Sequence, residues 1–154
     1  MTDTRRIIYR TFSVIAVAVI TVTIFLLSAQ TADNSSATSG FFTELLSRFL
    51  NKHFSDGFIR TCAHFCEYAG LGFFVCNLIY SFKGKTFPFI SALLSWVYAW
   101  SDEIHQLFVP GRAFQISDLA VDLGGVIIGS FVFTAFVRII EKCRKNEALE
   151  NEHQ

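Results

Sequence analysis

Charge is scarce in this sequence: Asp, Glu, Lys and Arg make up 17% of its 154 residues, against 52% hydrophobic residues. That balance leaves too little polar surface for an ordinary soluble domain. Thirteen basic and thirteen acidic side chains cancel, so no net basic surface draws the chain to nucleic acid. Proline is scarcer still, and two prolines beside eighteen phenylalanines exclude a disordered chain. Four cysteines, with Cys62 and Cys66 at i and i+4 and no partner spacing for Cys76 or Cys143, do not make a secreted disulfide scaffold and are small apolar residues here. A Walker-type loop, a G-x-S-x-G elbow and a dinucleotide fingerprint are all missing. What remains is a single all-α domain, 1–154, in a membrane.

Four stretches reach the roughly 20 residues that a spanning helix needs: about 7–29, 58–82, 87–109 and 116–140. The first carries no charge from Ser13 to Leu27; the others each contain ionisable residues. Basic Arg5, Arg6 and Arg10 with Ser28-Ala29-Gln30 imitate a secretory signal, but the apolar run exceeds the usual ~7–15 residues of a signal core, so the helix is expected to stay. Lysine and arginine set orientation. With four crossings, nine of them (Arg5, Arg6, Arg10, Lys83, Lys85, Arg138, Lys142, Arg144, Lys145) fall on one side and four (Arg48, Lys52, Arg60, Arg112) on the other. Both termini and the 141–154 tail are therefore expected in the cytoplasm, the tail as a frayed helix end. Between the first two spans, Phe42, Leu45, Leu46, Phe49 and Leu50 recur at helical spacing, with Glu44, Arg48 and Lys52 elsewhere on the wheel. This pattern predicts a short amphipathic helix, lying on the outer surface or closing over the bundle.

Apart from the cytoplasmic flanks, every ionisable residue of the last three segments lies in their outer halves. At ~1.5 Å per residue, Glu67 lies about 13 Å in, Asp102 about 10 Å and Asp122 about 9 Å, so three antiparallel neighbours bring acids to similar depth. On each helix they share a face: Arg60, His64 and Glu67 at i, i+4 and i+7; Asp102 and Gln106 at i and i+4, with Glu103 beside them; Asp118, Asp122, Gly125 and Gly129 at i, i+4, i+7 and i+11. The last pair is a G-x-x-x-G that lets another backbone come close. An Asp or Arg at a helix centre costs about 2.5–3.5 kcal/mol on insertion scales. These groups must therefore face the bundle interior or a water-filled cavity. Salt bridges that merely fix helix register are the competing explanation.

The strings FLLSAQ, IRTCAHFCEYAGLG and WSDEIHQLFVPGRAFQISDLAVDLGGVIIG resemble the VanZ-like family of bacterial membrane proteins across essentially the whole chain from the first span to the fourth. The densest part is D-E-x-x-Q-x-x-x-P-G-R followed by D-x-x-x-D-x-x-G. The resemblance implies a protein of the cell envelope linked to glycopeptide, specifically teicoplanin, susceptibility. It carries family motif positions onto Ser28, Arg60, His64, Tyr68, Asp102, Glu103, Gln106, Arg112, Asp118, Asp122 and Gly125; Glu67 and His105 are added on spacing alone.

Two arginines above an imidazole and several carboxylates suit an anionic headgroup, because the guanidinium fork grips phosphate or carboxylate at two points and stays charged when partly dry. One expectation is an enzyme acting on a lipid-linked or cell-wall substrate. His64 would be base or nucleophile, Asp102 or Glu103 would orient it, another carboxyl group (Asp118 or Asp122 among them) would serve as acid, and Arg60, Tyr68, Gln106, Arg112 and Ser28 would hold the substrate. Another is a non-catalytic protein that binds or shields an envelope lipid or peptide stem with the same groups. No cofactor is implied. A metal on His64-x-x-Glu67 and Asp102-x-x-His105 is weaker, for want of the Glu-x-x-His pairs of di-iron bundles; transport is weaker still, because the acids stop in the outer half. Trp96, Tyr98 and Trp100 are expected to be core or lipid contacts.

Overall fold

A computed structural model describes residues 3–31, 40, 44 and 55–152; the predicted amphipathic helix lies outside the described residues. The described chain is all helical, with α1 Asp3–Ser28, α2 Asp56–Lys83, α3 Pro88–Gln106 and α4 Ile116–Glu152. Local chemistry sets the ends. Ser55 caps α2 by accepting the Phe58 amide at 3.2 Å, and Gly84, at φ 65°, closes it with its N–H on the Tyr80 carbonyl. Pro88 opens α3, at the first turn where a missing N–H costs nothing. The helix ends at Gln106 and tightens into i→i+3 turns through Val109, because the residue before Pro110 is driven out of the helical region. Helix α4 is 37 residues long in all and carries past Arg138 to Glu152, with 141–151 exposed.

Helices α1, α2 and α4 are long and apolar enough to cross a membrane. Helix α3 is not among them, since Asp102, Glu103 and His105 lower its hydropathy, yet its 19 residues extend about 28 Å, close to the ~30 Å hydrocarbon thickness. Its faces explain how it belongs with the others. The buried face is small or polar: Ser91, Ala92, Ser95, Ala99, Asp102, Glu103 and Gln106. The exposed face is apolar, with Phe89 77%, Leu93 58% and Val97 59% exposed. This is a soluble amphipathic helix turned inside out, which lipid favours and water does not.

Helix α2 packs most extensively on α4, and α3 bridges the two. His64 meets Asp122, Gly72 meets Val126 and Cys76 meets Thr134, so α2 and α4 run parallel. Helix α1 runs antiparallel to α2, tied to it by Tyr9 on Asn77 and by Asn77 on Ser13 at 3.0 Å. It runs alongside α3, whose Tyr98 hydroxyl donates to the Thr21 carbonyl at 2.7 Å. The α2–α4 crossing is a backbone contact. A Cβ on Gly129 would stand 1.8 Å from the Ala69 carbonyl oxygen, one on Gly125 2.6 Å from that of Phe65, and one on Gly72 2.4 Å from that of Val126.

The neighbouring Gly124 would place a Cβ no nearer than 3.8 Å to the Phe65 ring. Gly129→Ala is therefore expected to lower the melting temperature in detergent by an overpacking cost of about 1–3 kcal/mol or more. Gly124→Ala should be neutral or mildly stabilising, alanine being the better helix former. Equal melting of the two variants would contradict the crossing described here.

Candidate functional site

The α2–α4 crossing sets the site. One helical turn beyond Gly125 on the α4 stripe stands Asp122, 1% exposed, and across from it on α2 stands His64, whose Nδ1 lies 3.5 Å from an Asp122 oxygen. That separation is an ion-pair distance when the imidazole is protonated and is long for a hydrogen bond. Next along α2, fully buried Tyr68 donates its hydroxyl to Asp102 of α3 at 3.0 Å. Glu103, equally buried, turns to the loop and accepts the Gln115 backbone N–H at 3.0 Å, tying the end of α3 to the start of α4. The acid that meets His64 is thus Asp122, while Asp102 and Glu103 are engaged elsewhere.

The α3–α4 connection aims Arg112. Val109-Pro110-Gly111-Arg112 closes with the Arg112 N–H on the Val109 carbonyl at 3.1 Å, and Gly111 takes φ 77°. Proline second and a positive-φ glycine third are the mark of a type II turn. From there Arg112 donates its Nε to the Gln30 carbonyl, just past the C-terminal end of α1, at 3.2 Å. Its charge is felt by Arg60, Asp102, Asp118 and Glu103; burial, with the like charge of Arg60, draws the guanidinium below its ordinary pKa, and the three acids oppose this. Half-buried Glu67 lies within electrostatic reach of His64, Asp102, Asp122 and Arg112.

The second shared property of these residues is incomplete hydrogen bonding. Among the described residues, both amide atoms of fully buried Gln106, both carboxylate oxygens of Asp122, and one oxygen each of Asp102 and Glu103 are buried without a hydrogen-bond partner. So are Ser28 Oγ, Arg60 Nε and Arg112 Nη1. A buried polar atom left unmatched costs about 1–3 kcal/mol, so a group this dense favours further polar partners, such as water or a polar ligand.

A family model, VanZ-LLP1 (VanZ/LLP1), matches residues 12–138. The chain belongs to the VanZ-like family. No curated protein and no solved structure matches it. The matched span runs from Phe12, within α1, to Arg138 of α4 and contains every residue of the site described above. Of the residues this VanZ-like chain was expected to use, Arg60, His64, Glu67, Tyr68, Asp102, Glu103, Arg112, Asp118 and Asp122 are linked by contacts or by charge. His105 is apart: its ring stacks on Phe25 of α1, centroids 4.7 Å apart, so it does not share the face of Asp102. Among the described residues no group of three His, Cys, Asp or Glu side chains is arranged to hold a metal. Trp96 and Trp100 pack edge to face, with Phe114 against Trp100.

Sequence reasoning passed over the partners supplied by backbone, Gln115 N–H and Gln30 C=O, for which no side-chain signal exists. It also passed over Asn77, buried with Tyr9 and Ser13, although an amide inside an apolar segment is the usual sign of interhelical bonding.

A double-mutant cycle on Tyr68→Phe and Asp102→Asn, followed by melting in detergent, should return a coupling of about 0.6–1.7 kcal/mol, the range of interhelical hydrogen bonds in membranes. Additive effects would separate the two side chains and remove the α2–α3 link.

Proposed function

We propose that this VanZ-like protein lies in the bacterial cytoplasmic membrane with both termini in the cytoplasm, and handles an anionic lipid-linked or cell-wall-related substrate at the outer face. Glycopeptide susceptibility of the teicoplanin type is its outward effect. The alternating helix directions fit four crossings, and the nine-to-four division of basic residues then puts the polar end outside. The observation that carries the reading is the joint presence of two arginines within electrostatic reach of each other and the buried polar atoms of Gln106, Asp122 and Ser28 that find no hydrogen-bond partner among the described residues.

In this reading Arg60 and Arg112 hold the anion, with Ser28, Gln106 and Tyr68 as further polar contacts. Asp122 beside Nδ1 orients the imidazole of His64 and leaves Nε2 to accept a proton from the attacking group. The carboxyl groups of Glu67 and Asp118 supply the returning proton. A second reading, in which the protein binds or shields the same substrate without converting it, draws support from a specific feature. Asp102 and Glu103 are held in hydrogen bonds within the protein, to Tyr68 and to Gln115, as recognition or framework groups would be.

His64→Ala and Asp122→Asn are each expected to accumulate in the membrane at normal levels and to lose the effect on teicoplanin susceptibility. Purified protein given lipid-linked envelope precursors separates the two readings. Conversion that falls about 10²–10⁴-fold in His64→Ala supports the catalytic one. Binding without product, weakened stepwise by Arg60→Ala and Arg112→Ala, supports the other. Wild-type behaviour of all four variants would overturn both.

A further inference from the structure

At the opposite end of the bundle lies a groove that plays no part in the site above. It runs between the first turns of α1 and the last turn of α2, has a volume of about 310 Å³, and is lined by Ile7, Arg10, Thr11, Val14, Ile15 and Phe82. Arg10 and Ser28 are 18 residues apart on α1, about 27 Å along the helix. The walls are held in place by Tyr9 on Asn77 and by Asn77 on Ser13.

Arg10 is the charged element of this groove, and its direction is fixed. Its Nε donates to the Ser81 carbonyl at 3.2 Å and its guanidinium lies over the Phe82 ring, 4.9 Å from the centroid. The bond through Nε leaves the terminal edge of the guanidinium, the edge that forks onto phosphate oxygens, for another partner. Arg5 and Arg6 on α1, Lys83 at the end of α2 and Lys85 just after it add positive charge at this end, with Asp3 as the acid of the first turn of α1. Apart from Thr11, the other lining side chains are apolar and exposed, among them Ile7 63%, Ile15 55% and Phe82 52%.

We infer that this groove is a binding site for one anionic phospholipid, with the headgroup phosphate on Arg10 and one acyl chain along Ile7, Val14, Ile15 and Phe82. Charge complementarity selects the occupant. A zwitterionic lipid offers the same phosphate but brings its own cation among the basic side chains, whereas an anionic headgroup brings only negative charge, an advantage of about fivefold per basic residue near the surface. The competing role for Arg10 is to complement the C-terminal end of the α2 dipole. That role needs a cation but not a fork, and does not need the groove.

The test uses the full-length protein in mixed micelles of phosphatidylglycerol and phosphatidylcholine in equal amounts, with retained lipids counted by native mass spectrometry. Wild type is expected to retain one phosphatidylglycerol at roughly fivefold excess. Arg10→Gln should bring this toward parity, Arg10→Lys should lower it while preserving the melting temperature, and Val14→Trp, which fills the groove and leaves every charge in place, should remove the bound lipid. Lys145→Gln, the same loss of charge on the tail of α4, should change nothing. Equal retention of the two lipids by wild type, or equal effects of Arg10→Gln and Lys145→Gln, would overturn the proposal. Loss in Arg10→Gln with none in Val14→Trp would reduce it to surface attraction and overturn the groove. Should Arg10→Gln not fold, Arg10→Lys and Val14→Trp decide the matter by the same criteria.

Discussion

An ionisable side chain at membrane depth has to find its partners inside the protein, and the arrangement of the four helices follows from that requirement. Helix α3 meets it by turning its polar face inward: Asp102, Glu103 and Gln106 are 4% exposed or less, while Phe89, Leu93 and Val97 face outward. In water such a helix would gain by rotating half a turn. In hydrocarbon the outward apolar face costs nothing, and the buried face is held by Tyr68 and by the Gln115 amide.

The partner surface for α3 is built by α2 and α4, and their contact depends on missing side chains. Gly72, Gly125 and Gly129 let two parallel backbones touch, which brings His64 and Asp122 within 3.5 Å one turn away. Small residues at the crossing and ionisable residues beside it form one device: close packing fixes the distance at which the charges face each other. The Val109–Arg112 turn completes it by returning a guanidinium over the acids and fastening it to the end of α1. The same logic recurs without formal charge at the other end, where Tyr9, Ser13 and Asn77 join α1 to α2.

Much of this was legible in the sequence because helical periodicity alone carries it. The stripe Asp118, Asp122, Gly125, Gly129 and the face of Asp102 and Gln106 each follow from 3.6 residues per turn; the family likeness, which the 12–138 match supports, comes from the motif strings instead. Periodicity places residues on a face but does not say which neighbour that face meets. It could not choose Asp122 over Asp102 or Glu103 as the partner of His64, nor foresee that His105, one position short of Gln106, would turn to Phe25. Mean hydropathy undervalues α3 because it conceals the separation of its two faces, whereas segment length already places 87–109 among the four spans. Contacts made through backbone atoms, such as those of Glu103 and Arg112, leave no trace in residue identity.

The claim on which the account rests is that the ionisable groups of α2, α3 and α4 line one chamber, reached from the end of the bundle that holds Arg112. Scanning accessibility in a variant freed of its four cysteines tests it most directly, with single cysteines placed at Glu67, Asp118 and Gln106 and, for comparison, at the outward Val97 and Leu93. Intact cells treated with a membrane-impermeant thiol reagent should label the first three from outside and leave the last two unlabelled. Labelling of the three only after the cytoplasmic face is exposed, or protection of the three equal to that of Val97 and Leu93, would contradict it.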